Sequence, residues 1–432
     1  MHRALEPSVT WGIEYVSIEE ALERLRGTVS IKPRVERVML WDAYKRVLAQ
    51  DVVSQVDVPA YDTSHMDGYA VRSSDISSAR PEEPVSLRLV GSAPLCESSS
   101  MVLGRGEACR VLTGAPMPRG ADTVVPVESA EASGGVVIIR TPLPAGSNVY
   151  PRGRDVRRGE VVLERGRRVK AADVVLLGRL GVMEVDVYRA PRVAIVPTGS
   201  ELTDDPRRVS EGMVLETHGW LAAKLVEEAG GIPVKTPPVP DDPEAVGSRL
   251  AALLDAVDMV LTIGGTSAGE TDVVKQAIDS LPGSRVLCRG VKMDRGRVAG
   301  VAAAKGRPVI MLPGPIQGMV NAFICLALPL LLELMGHPKP LPIVKAALSH
   351  PWQARKMFSS FKKIVHVELF WEGDVLKAKP LVGETESTRI ISSADGFITV
   401  PEGVESLSEG QSVEVRLLPG LGGLPTRPRE PG

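Results

Sequence analysis

Met259-Val260-Leu261-Thr262-Ile263 runs into Gly264-Gly265-Thr266-Ser267-Ala268-Gly269-Glu270-Thr271-Asp272, and a helical pattern covers Thr271 to Ile278. Five apolar or β-branched residues stopping at two glycines read as a buried strand that ends in a turn and opens a helix. The same grammar occurs twice more. Val193-Ala194-Ile195-Val196 runs into Pro197-Thr198-Gly199-Ser200-Glu201, with an amphipathic helix at Thr217–Ala229. Pro308–Leu312 runs into Pro313-Gly314-Pro315, with a long helix from about Gln317. This alternation, from residue 171 to 336, predicts a parallel sheet covered on both faces.

The flanking segments read differently. Ser17 and Glu20 form a capping box before an apolar stripe of Ile18, Ala21, Leu22 and Leu25, closed by Gly27. A second short helix is expected over Trp41–Leu48. Residues 52–149 carry short apolar runs (Val85–Val90, Cys109–Leu112, Val136–Ile139) between Gly, Pro and Ser, which predicts a small all-β module. Residues 150–170 are basic, and Arg152, Arg154, Arg157 and Arg158 flank a glycine turn; this reads as a solvated face or as an anion-facing loop. Beyond Pro338-Lys339-Pro340 only strand-like runs remain: Ile343–Leu348, Ile364–Phe370, Val375–Ala378, Phe397–Val400 and Ser412–Leu417. They predict a separate β domain, followed by a Gly- and Pro-rich tail.

The chain of 432 residues, 44% of them apolar, has material for several cores. A net charge of −2 argues against a general nucleic-acid binder. Met1–Thr10 does not read as a secretory leader, and the apolar run Phe323–Leu332 is too short to span a bilayer. Cys96, Cys109, Cys288 and Cys325 lack metal-like spacing and read as reduced thiols of a cytoplasmic protein. Arg outnumbers Lys 36 to 15 and there are two Asn, a weak thermophile signature.

Ligands of open parallel sheets sit at the carboxyl ends of the strands. Three glycine turns at that edge, with the hydroxyls of Thr198, Ser200, Thr266 and Ser267, suit an anionic, phosphate-bearing ligand. Glu201, Asp241, Asp242 and Asp272 decorate the same edge. Acids beside a phosphate cradle need a cation between, and Mg²⁺ binds through one or two carboxylates plus phosphate oxygens. Asp242, before Pro243, reads as a helix cap; Asp272 reads either as a cap or as metal-linked. Upstream, Asp57-Val58-Pro59-Ala60-Tyr61-Asp62-Thr63-Ser64-His65-Met66-Asp67-Gly68-Tyr69-Ala70-Val71 is denser in polar chemistry than a linker requires.

The run Asp62-Thr63-Ser64-His65-Met66-Asp67-Gly68-Tyr69-Ala70, with Pro59 upstream, resembles the hallmark of the MoeA and gephyrin E-domain family of molybdopterin molybdenumtransferases. The resemblance continues through Leu112-Thr113-Gly114-Ala115-Pro116, Arg152-Gly153-Arg154-Asp155, Pro197–Leu202, Gly264–Asp272 and Leu312-Pro313-Gly314. It implies a multidomain α/β plus β fold. An elongated N-terminal domain would take residues 1–51 and 150–180, an inserted β module 52–149, a three-layer, MogA-like α/β molybdopterin-binding domain 181–337, a C-terminal β-barrel 338–422, and a tail 423–432. It also implies a homodimer with the site in a cleft between subunits, and leaves the molybdopterin adenylyltransferase as a candidate partner. The implied reaction inserts molybdate or tungstate into adenylylated molybdopterin and releases AMP with Mg²⁺.

Carried over by motif, the catalytic positions are Asp67, Thr113, Glu201, Asp241 and Asp272, the last three also binding metal. The substrate-binding positions are Thr198, Gly199, Ser200, Gly264, Gly265, Thr266, Ser267, Gly269, Pro313, Gly314, Lys292, Arg297 and Ser387. Several motifs depart from the family. Its Lys-Pro-Gly-Lys-Pro reads Asp294-Arg295-Gly296-Arg297-Val298, its Leu-Pro-Gly-Asn-Pro reads Leu312-Pro313-Gly314-Pro315-Ile316, its Asp-x-Asn reads Glu216-Thr217-His218, and a barrel Arg falls on Lys363. Arg297, helped by Lys292 or Arg295, is expected to replace the lysines, with Asp294 pointing away or pairing with an arginine and Asp294→Lys tolerated or strengthening oxyanion binding. The alternative is a non-catalytic, pterin-binding scaffold for cofactor assembly.

Overall fold

The computed structural model describes residues 9–10, 13–95, 101–266, 272–337, 341–355, 358–418 and 425. The chain divides into two compact units, one of Met1–Glu36, Lys45–Ala49 and Val187–Gly432, the other of Arg37–Tyr44 and Gln50–Asp186.

The first unit is built on a six-stranded sheet. In spatial order its strands are Ile232–Lys235, Arg192–Pro197, Met259–Ile263, Arg307–Leu312, Gly300–Ala304 and Arg285–Arg289. The first four are parallel, and the near-continuous apolar character of the three inner ones follows from burial on both faces, whereas the edge strand Ile232–Lys235 is partly exposed. Gly300–Ala304 runs antiparallel to both of its neighbours, so the sheet is mixed rather than wholly parallel. A tight turn at Lys305-Gly306 joins Gly300–Ala304 to Arg307–Leu312, leaving no room for a crossover helix.

Helices cover both faces. Ala194, Val196, Val260, Val309 and Met311 pack with Val246, Leu250, Val274 and Ile278 on one side. Val193, Ile195, Leu261, Ile310 and Leu312 pack with Val226, Met319 and Phe323 on the other. The N-terminal helix Ile18–Arg26 joins this second core through Ile18, Ala21, Leu22 and Leu25, and Ser17 Oγ caps it by accepting the Glu20 N–H at 3.0 Å. The helical segment Ile316–Leu334 is long and apolar enough to cross a membrane, yet most of it is buried inside the protein. It contains a π turn at Phe323–Ala327. Pro329 supplies no N–H and its ring excludes the usual carbonyl, so the ladder widens one turn earlier.

The C-terminal strands close into a barrel in the order Ile343–Leu348, Val375–Pro380, Lys363–Glu372, Gly396–Val400 and Ser412–Leu417. Leu348, Val367, Ala378 and Val415 fill its interior.

The second unit contains a six-stranded sheet in the order Ala130–Ser133, Val136–Ile139, Val85–Ser92, Glu107–Val111, Gly68–Val71 and Thr123–Pro126. The helix expected over Trp41–Leu48 is absent. Only a 3-10 turn forms at Leu40–Ala43, Tyr44 is extended, and Lys45 takes a left-handed φ of 64° that ends any helix.

Candidate active site

The three glycine turns meet because their strands are neighbours in one sheet. The Thr198 N–H donates to Ile263 O at 2.8 Å, and the Gly264 N–H donates to Leu312 O at 3.1 Å, so each turn is tied to the next. Above them opens a cavity of about 810 Å³ at the carboxyl ends of the strands. Thr198, Glu201, Asp241, Gly264, Gly265, Thr266 and Gly314 line it. Gly264 and Gly265 have φ of +84° and +62°, and the turn presses on its neighbour so closely that a Cβ on Gly264 would lie 2.6 Å from Thr198 O. The lining also includes Glu216, Thr217, His218 and Gln276, and no Lys or Arg among the described residues.

The acids sit at the rim in defined ways. Ser200 and Asp241 lock two loops together, Ser200 N–H donating to Asp241 Oδ2 at 3.3 Å and the Asp241 N–H donating to Ser200 Oγ at 3.0 Å. The Glu201 carboxylate folds back over Gly199, whose missing Cβ would meet it at 2.8 Å. Asp242 Oδ2 accepts the Ala245 N–H at 2.8 Å, which is the expected helix cap. Asp272 is 1% exposed, and its Oδ1 caps the helix Val273–Ser280 by accepting the Lys275 N–H at 2.9 Å. Its Oδ2 is buried without a hydrogen bond, 3.5 Å from Arg289 Nε. Burial pushes the Asp272 carboxyl above its ordinary range, only partly opposed by the Lys275 N–H and Arg289. Asp272 is outside the cavity lining, whereas Val273 and Gln276 of the helix it starts are in it. Ser267 and Gly269 lie outside the described residues.

No three His, Cys, Asp or Glu side chains among the described residues form a protein-only metal cage. The donor set nonetheless fits Mg²⁺, which keeps few protein ligands and takes the rest from water and phosphate. Glu201 and Asp241 face a cavity without basic residues, and Asp272 Oδ2 is a buried carboxylate oxygen with no hydrogen bond, its charge opposed by Arg289 at 3.5 Å.

Residues of the altered lysine motif gather elsewhere in the first unit. Asp294 pairs with Arg355, so its charge is neutralised as expected. Asp294 is buried while Arg355 is half exposed, so Asp294→Lys would set a cation at a buried position beside Arg355, which argues against the tolerance expected from the motif. The Arg297 guanidinium lies 5.0 Å over the Phe358 ring, with Arg355 at 5.5 Å from the same ring. Arg295 Nη1 donates to Gln317 Oε1 at 2.6 Å, and Asn321 Nδ2 donates to Arg295 O at 2.9 Å. Burial, then Arg355, lowers the Arg295 guanidinium from its usual value. Gln317 also holds the loop at Glu384 and Thr385 that leads to Ser387. Lys292 is half-buried at one end of the motif. Lys363 is 2% exposed and donates to Ser359 O at 2.7 Å and Val404 O at 3.2 Å, so its ammonium is committed to carbonyls.

In the second unit, Asp67 and Thr113, 46 residues apart, are brought together. Asp67 Oδ1 accepts the Thr113 N–H at 2.7 Å and the Thr113 hydroxyl at 2.8 Å. Those two bonds hold the exposed Asp67 carboxyl below its ordinary range. Gly68 follows because a Cβ there would lie 2.1 Å from Val125 O on the paired strand. The basic loop is partly spent on the acidic one: Arg152 Nε donates to Asp57 Oδ2 at 2.7 Å and its N–H to Asp62 Oδ1 at 2.8 Å.

Gln276 escaped the sequence-derived set, and Glu216 entered it only as a departure from the family's Asp-x-Asn motif. Gln276 sits one helical turn beyond Val273, so helix periodicity from Asp272 could have placed it on the same face. Glu216 is buried, and its Oε1 accepts the Gly219 N–H at 2.6 Å.

Residues 16–181 match the MoeA N-terminal region (domain I and II), residues 194–333 the probable molybdopterin binding domain, and residues 345–418 the MoeA C-terminal region (domain IV). Molybdopterin molybdenumtransferase 2 of Mycobacterium tuberculosis is 32% identical over 388 residues, spanning 88% of this chain and 94% of the relative. Molybdopterin molybdenumtransferase of Nostoc sp. is 32% identical over 89% of each chain. The crystal structure of a molybdopterin biosynthesis MoeA protein from Pyrococcus horikoshii superposes with a TM-score of 0.82 at 30% identity, covering 94% of this chain and 100% of that one.

Proposed function

This chain belongs to the MoeA family, and we propose that it acts as a molybdopterin molybdenumtransferase of molybdenum cofactor biosynthesis. Molybdate or tungstate forms two bonds to the dithiolene sulfurs of adenylylated molybdopterin as two of its oxo groups leave as water, the thiols and solvent supplying the protons. One water adds to phosphorus as the pyrophosphate P–O bond breaks and AMP leaves. The observation that carries this reading is the cavity of about 810 Å³, framed by three glycine turns and rimmed by carboxylates without a lining Lys or Arg. Such a site suits a phosphorylated substrate accompanied by a divalent cation.

In this reading the turns at Thr198-Gly199-Ser200, Gly264-Gly265-Thr266 and Pro313-Gly314 let the backbone approach the pyrophosphate. The Thr266 hydroxyl, buried without a hydrogen-bond partner among the described residues, supplies a donor, whereas the Thr198 hydroxyl already donates to Ile263 O at 3.3 Å. Glu201, Asp241 and Asp272 would hold Mg²⁺, which when bound neutralises the phosphate charge. Arg297, with Lys292 and Arg295, takes the oxyanion; Ser387 belongs to the loop that Gln317 fixes beside them. Lys363 is left out of this role, because its ammonium already serves two carbonyls.

The test incubates the protein with adenylylated molybdopterin, Mg²⁺ and either oxyanion, and follows AMP. Release that depends on oxyanion supports the enzyme; pterin binding with no release under any oxyanion replaces it with the scaffold. Arg297→Ala is expected to raise the molybdate concentration for half-maximal rate about tenfold, the scale of one lost charge-assisted contact, with pterin binding unchanged. An unaltered molybdate dependence would move the oxyanion corner elsewhere. The family resemblance also supports a homodimer whose Asp67 loop works on substrate held by its partner. Asp67→Ala and Asp241→Ala chains, each inactive, should then regain part of the AMP release when mixed and re-annealed.

A further inference from the structure

At the opposite edge of the sheet, where Arg192–Pro197 and Arg307–Leu312 begin, lies a second cavity of about 200 Å³. Lys32, Arg34, Arg189 and Arg307 line it, against the single carboxylate of Asp258. This concentration of positive charge stands in a chain whose net charge is −2. Asp258 is buried and organises the cluster rather than cancelling it. Its Oδ1 accepts from Arg189 Nη2 at 2.5 Å, and its Oδ2 accepts the Arg192 N–H at 2.8 Å. Arg307 Nη1 stands 3.9 Å from the same Oδ1. The Arg189 N–H donates to Arg34 O at 2.7 Å, which fixes the strand-entry loop carrying Lys32 and Arg34. The Lys32 and Arg34 side chains make no hydrogen bond or ion pair with a described residue. Pro33, Pro191 and Pro308 complete the wall with rigid backbone.

Converging cations repel one another unless an anion sits among them, and guanidinium groups bind two oxygens of a tetrahedral anion at once. We propose that this cavity is a binding site for a small tetrahedral oxyanion, separate from the substrate cavity at the other edge. Free inorganic ions and the phosphate end of a nucleotide share this chemistry. The volume favours the free ion, since pockets for drug-sized ligands begin at roughly 300 Å³.

The test is calorimetric titration of the full chain with inorganic phosphate, sulfate and AMP, at ionic strength held constant with sodium chloride. Wild type is expected to bind phosphate and sulfate. The double variant Lys32→Ala/Arg34→Ala, altered only at exposed side chains, is expected to bind both at least about tenfold more weakly. Arg307→Gln should weaken binding in the same direction. AMP release should be unchanged in the double variant, and the substrate-cavity variant Thr198→Ala should keep the anion site. Equal phosphate affinity in wild type and double variant would overturn the proposal, as would loss of binding in Thr198→Ala instead. AMP binding as tight as phosphate, with the same sensitivity to Lys32 and Arg34, would overturn the small-ion assignment.

Discussion

Replacing Asp272 by asparagine is expected to lower Mg²⁺-dependent AMP release on the order of a hundredfold or more, with the fold intact. The two oxygens of this carboxylate do different things. Oδ1 caps the helix Val273–Ser280, and an asparagine oxygen caps a helix as well as an aspartate oxygen does. Oδ2 is the buried oxygen left without a hydrogen bond, and its charge is what the substitution removes. Stability should follow the proton balance. The folded carboxyl is raised by burial, so the native state holds its proton more tightly than the unfolded chain. The stability it contributes is present below the unfolded pKa and is lost as pH rises through the folded one. Asp272→Asn suffers no such loss, so its urea midpoint should gain on wild type as pH rises from about 4 to 8. Asp272→Ala forfeits the cap and should cost about 1 kcal/mol in addition to activity. Full AMP release by Asp272→Asn would reduce the residue to a helix cap.

Gly264→Ala and Gly265→Ala should each cost about 1–3 kcal/mol of stability and on the order of a hundredfold in AMP release. Both glycines have positive φ, and their added Cβ atoms meet different obstacles. At Gly264 the obstacle is the backbone oxygen of Thr198, 2.6 Å away, which cannot move without dragging the neighbouring turn. At Gly265 it is Thr198 Oγ1 at 2.5 Å and Val274 Cγ2 at 2.9 Å. Thr198→Ala removes Oγ1, so it should partly rescue the unfolding midpoint of Gly265→Ala and leave Gly264→Ala unrescued. Equal rescue of both variants would mean that the clash geometry does not set the cost.

Local sequence was enough to place the elements and the edge. Strand runs such as Met259–Ile263, the glycine turns after them and the Asp242 cap are local: each is written within a dozen residues by periodicity, branching and a breaker. Because ligands collect at strand carboxyl ends, that local text already pointed to Thr198, Glu201, Asp241, Gly264 and Gly314, which line one cavity. The family motif supplied Asp67 and Thr113, which pattern alone would not have joined.

How the charges pair depends on packing between distant segments. Asp294 meets Arg355 across 61 residues, Arg152 meets Asp57 across 95, and Lys363 turns its ammonium onto carbonyls of its own barrel region. It also closed the strand Gly300–Ala304 antiparallel to its neighbour and set Lys32 and Arg34 beside Arg189 and Arg307. Periodicity tells a residue which face of its own element it occupies. Which distant charge faces it depends on strand order and register, and those are fixed only when every element packs at once.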